Sequence, residues 1–174
     1  MSRLIEGAGP KPRLPRLAIL GYGRAGKDEA GRWLGEHTDL RYAGSTSQVV
    51  CPLIAKDLGI SEQEAWDTRH QNRIYWKDWC NNYGADDPAK LARYCLYRGD
   101  IVVGLRDKVE LAAIKAEGLI DLYIWIDHNV PVDPTVTFTV DDCDIVIRNH
   151  GTPGQLHEKL GRLAIAMGLD VRSD

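Results

Sequence analysis

The segment from Arg16 to Leu34, RLAILGYGRAGKDEAGRWL, constrains the fold of this chain more than any other stretch. Its apolar residues Leu17 to Leu20 predict a buried strand, Gly21 to Gly26 predict a tight turn, and a helix is expected to begin near Lys27. A strand that enters a helix through such a turn points several backbone N–H groups, and the positive end of the helix dipole, at one position. The segment therefore predicts a phosphate-binding site.

Two phosphate-binding patterns are superimposed on this turn. Gly21, Gly26 and Lys27 fit G-x-x-x-x-G-K, the P-loop, whose lysine reaches the β- and γ-phosphates of a nucleotide. Gly21, Gly23 and Gly26 also fit G-x-G-x-x-G, the dinucleotide fingerprint of a Rossmann unit. An NAD site needs an acid about twenty residues further on, but the expected second strand, Leu40 to Ala43, is followed by Gly-Ser-Thr-Ser. The P-loop is favoured, and an NADP-binding Rossmann oxidoreductase is the alternative.

Asp28 follows the P-loop lysine, at the position where Ser or Thr usually ligates Mg²⁺. A carboxylate can hold Mg²⁺ directly or through a water molecule, so Asp28 is predicted to be the metal ligand.

Hydroxyl groups come directly after the expected second strand. Ser45 and Thr46 would stand at its carboxyl end, where open α/β sheets bind their ligands, so both are candidate contacts to an acceptor substrate. The alternative is that Thr46 or Ser47 caps a helix running from Gln48 to Leu58.

A basic and aromatic segment, Thr68 to Tyr83, is expected to be helical. Its residues Arg69, Arg73 and Trp76 lie three and four positions apart, hence on one helix face. Such a face offers cations for a phosphate and a flat ring for a base. The alternative is a core helix with a solvated basic side.

Arg106 follows a short apolar strand, Asp100 to Gly104. An arginine that leaves a central strand beside a P-loop is well placed to bind a phosphate or the transferred phosphoryl group. The alternative role is an ion pair with a neighbouring acid such as Asp107.

Apolar strands without polar alternation, separated by helices, predict an α/β fold with a parallel sheet covered on both faces. We expect about five strands, the last two at Leu122 to Asp127 and Asp144 to Ile147, and a terminal helix capped by Thr152. Residues 16–174 would form one domain with a helical acceptor-binding insertion at about 48–97. Residues 1–15 are interpreted as a flexible basic arm.

Composition limits the classes of partner. The net charge of −3 disfavours a general polyanion binder, although the arm carries basic residues that could contact nucleic acid. The four cysteines form no C-x-x-C pair, which is typical of reduced thiols in a cytoplasmic protein. No apolar run approaches the length of a membrane span, so no membrane partner is expected.

The chain resembles small P-loop kinases of the nucleoside monophosphate kinase group, and is most similar to the bacteriophage deoxynucleoside monophosphate kinases. Their loop is G-x-x-x-x-G-K-D, and the matching residues are Gly21, Gly26, Lys27 and Asp28. Later segments also resemble that group, namely residues 102–106, 124–127 and 144–152.

The resemblance implies ATP-dependent phosphoryl transfer with Mg²⁺ to a nucleotide, in the host cytoplasm if the protein is phage-encoded, and it allows a homodimer. The implied catalytic residues are Lys27, Asp28 and Arg106. The donor phosphates would be cradled by the loop, that is by Gly21, Gly23, Arg24, Ala25, Gly26, Lys27 and Asp28. Asn149 would lie near the donor adenine, and Arg24, Arg69, Arg73 and Arg106 would neutralise phosphate charge.

Two acceptors remain open for such a kinase. A free deoxynucleoside monophosphate presents a phosphate that is already nucleophilic and needs no general base. The hydroxyl of 5-hydroxymethyluracil in phage DNA does need one, and Asp28 is then the best candidate because a carboxylate beside Lys27 stays ionised. A third class is a nucleotide-binding regulator that binds ATP without turnover.

Overall fold

In a computed structural model, which describes residues 13–173, the chain folds around a four-stranded parallel sheet. The strands are β1 (Leu17–Leu20), β2 (Ile101–Val103), β3 (Leu122–Asp127) and β4 (Ile145–Arg148). Their order across the sheet is β2-β1-β3-β4, and each neighbouring pair is parallel. The predicted α/β class with a parallel sheet is therefore confirmed.

Seven α-helices lie within the described residues. They are α1 (Lys27–His37), α2 (Thr46–Leu58), α3 (Glu62–Asp67), α4 (Arg73–Tyr83), α5 (Lys90–Arg98), α6 (Lys108–Ala116) and α7 (Pro153–Ala166). The terminal helix begins as predicted, because the Thr152 hydroxyl accepts a hydrogen bond from the Gln155 N–H. In this part of the chain, none of the helices has the length and apolar character that crossing a bilayer would require.

The two faces of the sheet bury separate apolar cores. Because successive side chains of a strand point to opposite faces, Ala18 and Leu20 pack among residues of α2 to α6, whereas Leu17 and Ile19 pack against α1 and α7. All four of these β1 residues are fully buried. The sheet is therefore covered by helices on both sides, as predicted.

The prediction of a strand at Leu40 to Ala43 is wrong, and the sheet has four strands rather than the expected five. This segment lies beside β2, where Arg41 O accepts a hydrogen bond from Asp100 N at 2.8 Å. The Arg41 N–H donates instead to the Asp100 carboxylate, at 2.9 Å. A side chain thus takes the place of the next backbone partner, so the strand ladder does not continue along this edge.

The second helix begins two residues earlier than predicted. Its N-cap is Ser45, whose hydroxyl accepts from Gln48 N while the Gln48 side chain accepts from Ser45 N at 2.7 Å. This reciprocal pair is a capping box, and it makes Thr46 the first helical residue rather than the cap.

The helix expected from Thr68 to Tyr83 is interrupted. After α3 the chain forms a turn over residues 68–72, and α4 begins only at Arg73. The Gln71 N–H donates to the Thr68 carbonyl and the Asn72 N–H donates to the Arg69 carbonyl, and such three-residue bonds tighten the chain out of the α-helical path. Arg69 therefore does not share a helix face with Arg73 and Trp76.

The strand order determines where a ligand site can form. The chain leaves β1 through α1, crosses the helical block, defined here as α2 to α5, and returns as β2 on one side of β1. Strand β3 pairs on the other side of β1. Such a reversal opens a crevice at the carboxyl ends of the central strands, which is where α/β sheets bind ligands. The glycine-rich turn after β1 lies at this crevice.

Candidate phosphate-binding site

The turn from Gly21 to Gly26 requires glycine at both ends. Gly21 has φ +143°, and a Cβ there would lie 2.7 Å from the Ile126 carbonyl oxygen of β3. Gly26 has φ +99°, and a Cβ there would lie 2.6 Å from Asn149 Nδ2. Both positions have a left-handed backbone that favours glycine. At Gly21 the close neighbour is also backbone, whereas at Gly26 it is the end of the Asn149 side chain, which would have to move and give up its bond to Ala25 O.

The turn leaves several backbone donors without a protein partner. Within residues 13–173, the N–H groups of Gly23, Arg24, Gly26 and Lys27 donate no hydrogen bond to a protein acceptor. Gly26 is the N-cap of α1 and provides no capping side chain. Unpaired N–H groups at the positive end of a helix form a site for an anion, and a strand-turn-helix of this kind can hold a phosphate.

Lys27 is folded back over the turn that precedes it. Its Nζ donates to the Tyr22 carbonyl oxygen at 2.5 Å. Burial lowers the pKa of Lys27, and the charge of Arg106 acts in the same direction, while Asp28 and Asp133 oppose the change. A partly buried ammonium group beside unpaired N–H groups concentrates positive charge on one side of the turn.

Asn149 connects the end of β4 to this turn. Its backbone N–H donates to Asp127 O at 2.7 Å, and its Nδ2 donates to Ala25 O at 2.9 Å. Asn149 therefore contacts the glycine-rich turn directly and stabilises its shape.

Arg106 has a different partner from the one expected. Its Nη1 donates to Asp133 Oδ2 at 2.9 Å and also to the Thr135 hydroxyl. Asp107, the partner named in the alternative interpretation, instead caps α6 by accepting from Val109 N at 2.7 Å. The correction has a physical reason, because a carboxylate directly before a helix is captured by the free N–H groups of its first turn.

Asp133 is a member of the site that the sequence did not single out. Its Oδ1 accepts from the Thr135 N–H at 3.0 Å and from the Thr135 hydroxyl at 2.6 Å. Burial raises the pKa of Asp133, but the hydrogen bonds from Thr135 and Arg106 outweigh it and lower the pKa to about 2. The signal that could have revealed it is the run Asp-Pro-Thr shortly after β3, a typical polar turn sequence.

Asp28 is exposed and has one aromatic neighbour. The Tyr42 hydroxyl donates to Asp28 Oδ1 at 3.2 Å. Burial of Tyr42, together with the charge of Asp28, raises the pKa of the tyrosine, so Tyr42 stays a donor across the physiological range. Tyr42 was also missed from the sequence, because it comes from the segment that was expected to be an ordinary strand.

The predicted acceptor contacts divide into two groups. Thr46 lies close to the crevice, because its Oγ1 is 3.4 Å from Gly104 O at the end of β2, and Ser45 is next to it as the cap of α2. Among the described residues, no hydrogen bond or ion pair connects Arg69, Arg73 or Trp76 to the phosphate-binding turn. This second group lies elsewhere in the helical block.

The helical block explains the surroundings of that second group. The Arg69 guanidinium lies 4.0 Å from the centre of the Trp66 ring, and Arg73 is exposed at the start of α4. Trp76 is only 5% exposed and packs in the apolar core, edge-on to Trp66. A ring buried in this way has no free face for a base.

A cavity of 810 Å³ adjoins the turn on the side of β3 and β4. Tyr22 of the turn lines it, and Trp125, which is only 4% exposed, packs edge-on against Tyr22 with ring centres 5.1 Å apart. The rest of its lining includes Val140, Val146, Arg148 and Lys159. The Asp127 carboxylate lines it as well, so the cavity carries charges of both signs, and with Tyr22 on one side it can accept a flat ring.

In comparisons with known proteins, no family model, no curated protein and no solved structure matches this chain.

The exposed carboxylate of Asp28, beside the turn, is the candidate ligand for a magnesium ion. Within residues 13–173 no group of three or more His, Cys, Asp or Glu side chains is arranged to hold a metal ion by itself. Mg²⁺ at nucleotide sites keeps several waters and uses one or two carboxylates plus substrate phosphates. Asp28 fits that kind of site, and not a site built from protein ligands alone.

Proposed function

We propose that this chain is a P-loop phosphotransferase that moves the γ-phosphoryl group of ATP to a nucleotide, most simply a deoxynucleoside monophosphate. The observation that carries the proposal is the position of Lys27, which is folded over a turn in which several backbone N–H groups donate to no protein acceptor within residues 13–173. A P-loop needs this combination, because the N–H groups cradle the donor phosphates while the lysine reaches their terminal oxygens.

The strand order counts against the Rossmann alternative. In the Rossmann fold the strand that follows the first helix pairs with the first strand. Here the segment Leu40 to Ala43 follows α1 but lies beside β2, and β2 pairs with β1. The observed order therefore favours the P-loop hypothesis over an NADP-binding oxidoreductase.

Each charged group has a role in the proposed transfer. The bond between the γ-phosphorus and the bridging oxygen breaks, a bond forms from the acceptor oxygen to that phosphorus, and ADP leaves. Lys27 and the turn N–H groups offset charge on the donor phosphates, and Arg106 offsets charge on the transferred group. Asp28 would hold Mg²⁺, which supplies further charge neutralisation when it is bound.

The surroundings suggest where the two substrates bind. We infer that the donor base occupies the space beside the turn that follows β4, next to Asn149 and the cavity lined by Tyr22 and Trp125. The acceptor would then approach from the β2 side, near Tyr42 and Thr46. This arrangement puts Arg106 between the two substrates.

A second acceptor is favoured by one observation, the exposure of Asp28. A hydroxyl acceptor such as 5-hydroxymethyluracil in DNA requires a base, and an exposed carboxylate beside Lys27 can take the proton. The same proton transfer is not needed for a phosphate acceptor.

The test is transfer of radiolabelled phosphate from ATP, with Mg²⁺, to a panel of deoxynucleoside monophosphates and to duplex DNA with and without 5-hydroxymethyluracil. Lys27→Ala is expected to abolish labelling, while the matched control Lys56→Ala, an exposed lysine on α2, is expected to behave as the wild type. Label on a free nucleotide supports the monophosphate kinase, and label on modified DNA supports the second acceptor. ATP binding without labelling of any acceptor would support a regulator instead, and absence of ATP binding would overturn the proposal.

A further inference from the structure

A short strap, defined here as residues 133–137, crosses from the β3 side of the crevice to the β2 side. At its far end the Thr137 N–H donates to Arg106 O at 2.9 Å, and the Thr137 hydroxyl accepts from Lys108 N at 2.8 Å. The strap is therefore attached to the backbone at Arg106 itself and at Lys108, two residues further on. This attachment fixes the strap relative to the start of α6.

The two carboxylate oxygens of Asp133 have separate partners. Oδ1 is held by the N–H and hydroxyl of Thr135 within the strap, and Oδ2 accepts from Arg106 Nη1 at 2.9 Å. Oδ2 also lies 3.3 Å from the position that a Cβ on Gly23 would occupy. Asp133 thus joins three parts of the crevice, namely the strap, the arginine after β2 and the phosphate-binding turn.

The position of this carboxylate is unfavourable for anion affinity alone. A negative charge next to a phosphate-binding turn repels the ligand, so a site selected only for tight ATP binding would not keep it there. What Asp133 contributes in return is a fixed position for Arg106. The long side chain of Arg106 is 47% exposed and would otherwise sample many rotamers.

The arginine keeps most of its donors free while it is held. Both of its hydrogen bonds to the strap, to Asp133 and to Thr135, come from Nη1. Within residues 13–173, its Nε and Nη2 donate to no other protein group. A guanidinium fork anchored at one nitrogen, with its other N–H groups available, suits the oxygens of a phosphoryl group in transfer.

We propose that Asp133, fixed by Thr135, is a positioning residue for phosphoryl transfer that acts by holding Arg106 at the phosphate-binding turn. The inference rests on the proposed phosphotransferase function and adds to it a residue and a role. If the inference holds, loss of the Asp133 charge slows phosphoryl transfer because Arg106 is no longer held in place. The same loss does not weaken ATP binding.

The variants that test it are Asp133→Asn, Thr135→Val and Arg106→Ala, with Asp39→Asn as the matched control. Asp39 pairs with Arg172 in an exposed ion pair far along the chain from the strap, so this control removes an Arg–Asp contact without touching the crevice. For each variant, kcat and KM are measured with the best acceptor of the panel, and the Kd for a fluorescent ATP analogue is measured without acceptor.

We expect Asp133→Asn to lower kcat by about 30-fold or more, because loss of one well-positioned charged donor typically costs two to three orders of magnitude. Its Kd for the ATP analogue is expected to stay within about threefold of wild type or to become tighter, since one negative charge is removed. Thr135→Val is expected to change kcat in the same direction by a smaller factor. The double variant Asp133→Asn with Arg106→Ala should be no slower than Arg106→Ala alone, because the two residues act as a unit.

Three results would overturn the inference. The first is a kcat for Asp133→Asn equal to that of Asp39→Asn. The second is a double variant that is slower than Arg106→Ala by the full factor of the single Asp133→Asn change. The third is a wild-type protein that neither binds the ATP analogue nor labels an acceptor, in which case the proposed function fails as well. A wild type that is active beside an Asp133→Asn variant of equal activity separates failure of the inference from failure of the function.

Discussion

The Asn149 side chain donates a 2.9 Å hydrogen bond to the carbonyl oxygen of Ala25, and this bond joins the turn after β4 to the turn after β1. The same amide nitrogen occupies the space where a Cβ on Gly26 would lie. The shape of the glycine-rich turn therefore depends on a residue 124 positions further along the chain as well as on its own glycines.

Gly26→Ala is expected to destabilise the fold by about 2–4 kcal/mol, through left-handed backbone strain and overlap with Asn149 Nδ2. The matched control is Gly118→Ala, where φ is +61° and no atom lies within 4 Å of the added Cβ. The control should lose only about 1–2 kcal/mol, from strain alone. Urea denaturation of both variants checks this, and equal losses would show that the contact with Asn149 contributes nothing.

Lys27→Met is expected to abolish ATP binding while it maintains or slightly raises the free energy of unfolding at pH 7. Burial lowers the pKa of Lys27, so the native protein binds fewer protons than the unfolded chain between the lowered pKa and 10.5. The ammonium group therefore disfavours folding at low and neutral pH, and this cost disappears as the pH rises through that interval.

The stability advantage of Lys27→Met should accordingly shrink as the pH approaches 10.5, which denaturation curves at several pH values would measure. An advantage that grows with pH would contradict the interpretation. Lys56→Met, at an exposed position of α2, is the matched control.

Asp28→Asn is expected to raise the Mg²⁺ concentration for half-maximal phosphoryl transfer by about tenfold or more, if the carboxylate holds the ion. Tyr42→Phe, which removes the hydroxyl that donates to Asp28, should change the requirement in the same direction but less. Tyr97→Phe is the control, because Tyr97 is 84% exposed on α5. A Mg²⁺ requirement that is unchanged in Asp28→Asn, with kcat lowered only for a hydroxyl acceptor, would instead assign Asp28 as the base.

Glu110→Gln is expected to stabilise the protein at pH 8 by about 2–3 kcal/mol and to have little effect below pH 4.5. Burial raises the pKa of Glu110 to about 7 from its ordinary value of 4.5. The native protein thus keeps a proton that the unfolded chain has lost, so the wild type loses stability as the pH rises from 4.5 through 7.

The measurement for Glu110→Gln is the difference in unfolding free energy between variant and wild type across pH 4.5 to 8. The difference should increase through this interval and then level off above pH 8. A difference that is constant with pH would mean that the carboxyl is not buried in the way the structure describes.

The sequence predicted the elements whose signals are local. The strand, glycine turn and helix from Leu17 onward, the strand at Leu122 to Asp127, and the terminal helix with its Thr152 cap all lie where periodicity and capping residues indicated. Each of these depends on neighbours within a few positions, so the pattern alone carries the information.

The tertiary structure decided the features that depend on distant partners. Leu40 to Ala43 has the composition of a strand, but the Asp100 carboxylate takes the Arg41 N–H and ends the ladder. Arg106 was predicted to be functional, yet its partner Asp133 lies 27 positions away on another loop. Tyr42 reaches Asp28, and Trp76 is drawn into the core instead of facing a substrate.

By itself, the sequence determined the parallel α/β architecture and the position of the glycine-rich turn, because backbone conformation and the burial of apolar strands are encoded by short-range patterns. The tertiary structure decided which side chains surround that turn. Charged and polar side chains form hydrogen bonds and ion pairs with the groups that lie near them after the strands have packed. Here the strap crosses the β2 end of the sheet and brings Asp133 to Arg106. Local pattern cannot specify that contact, because it exists only once the order β2-β1-β3-β4 has formed.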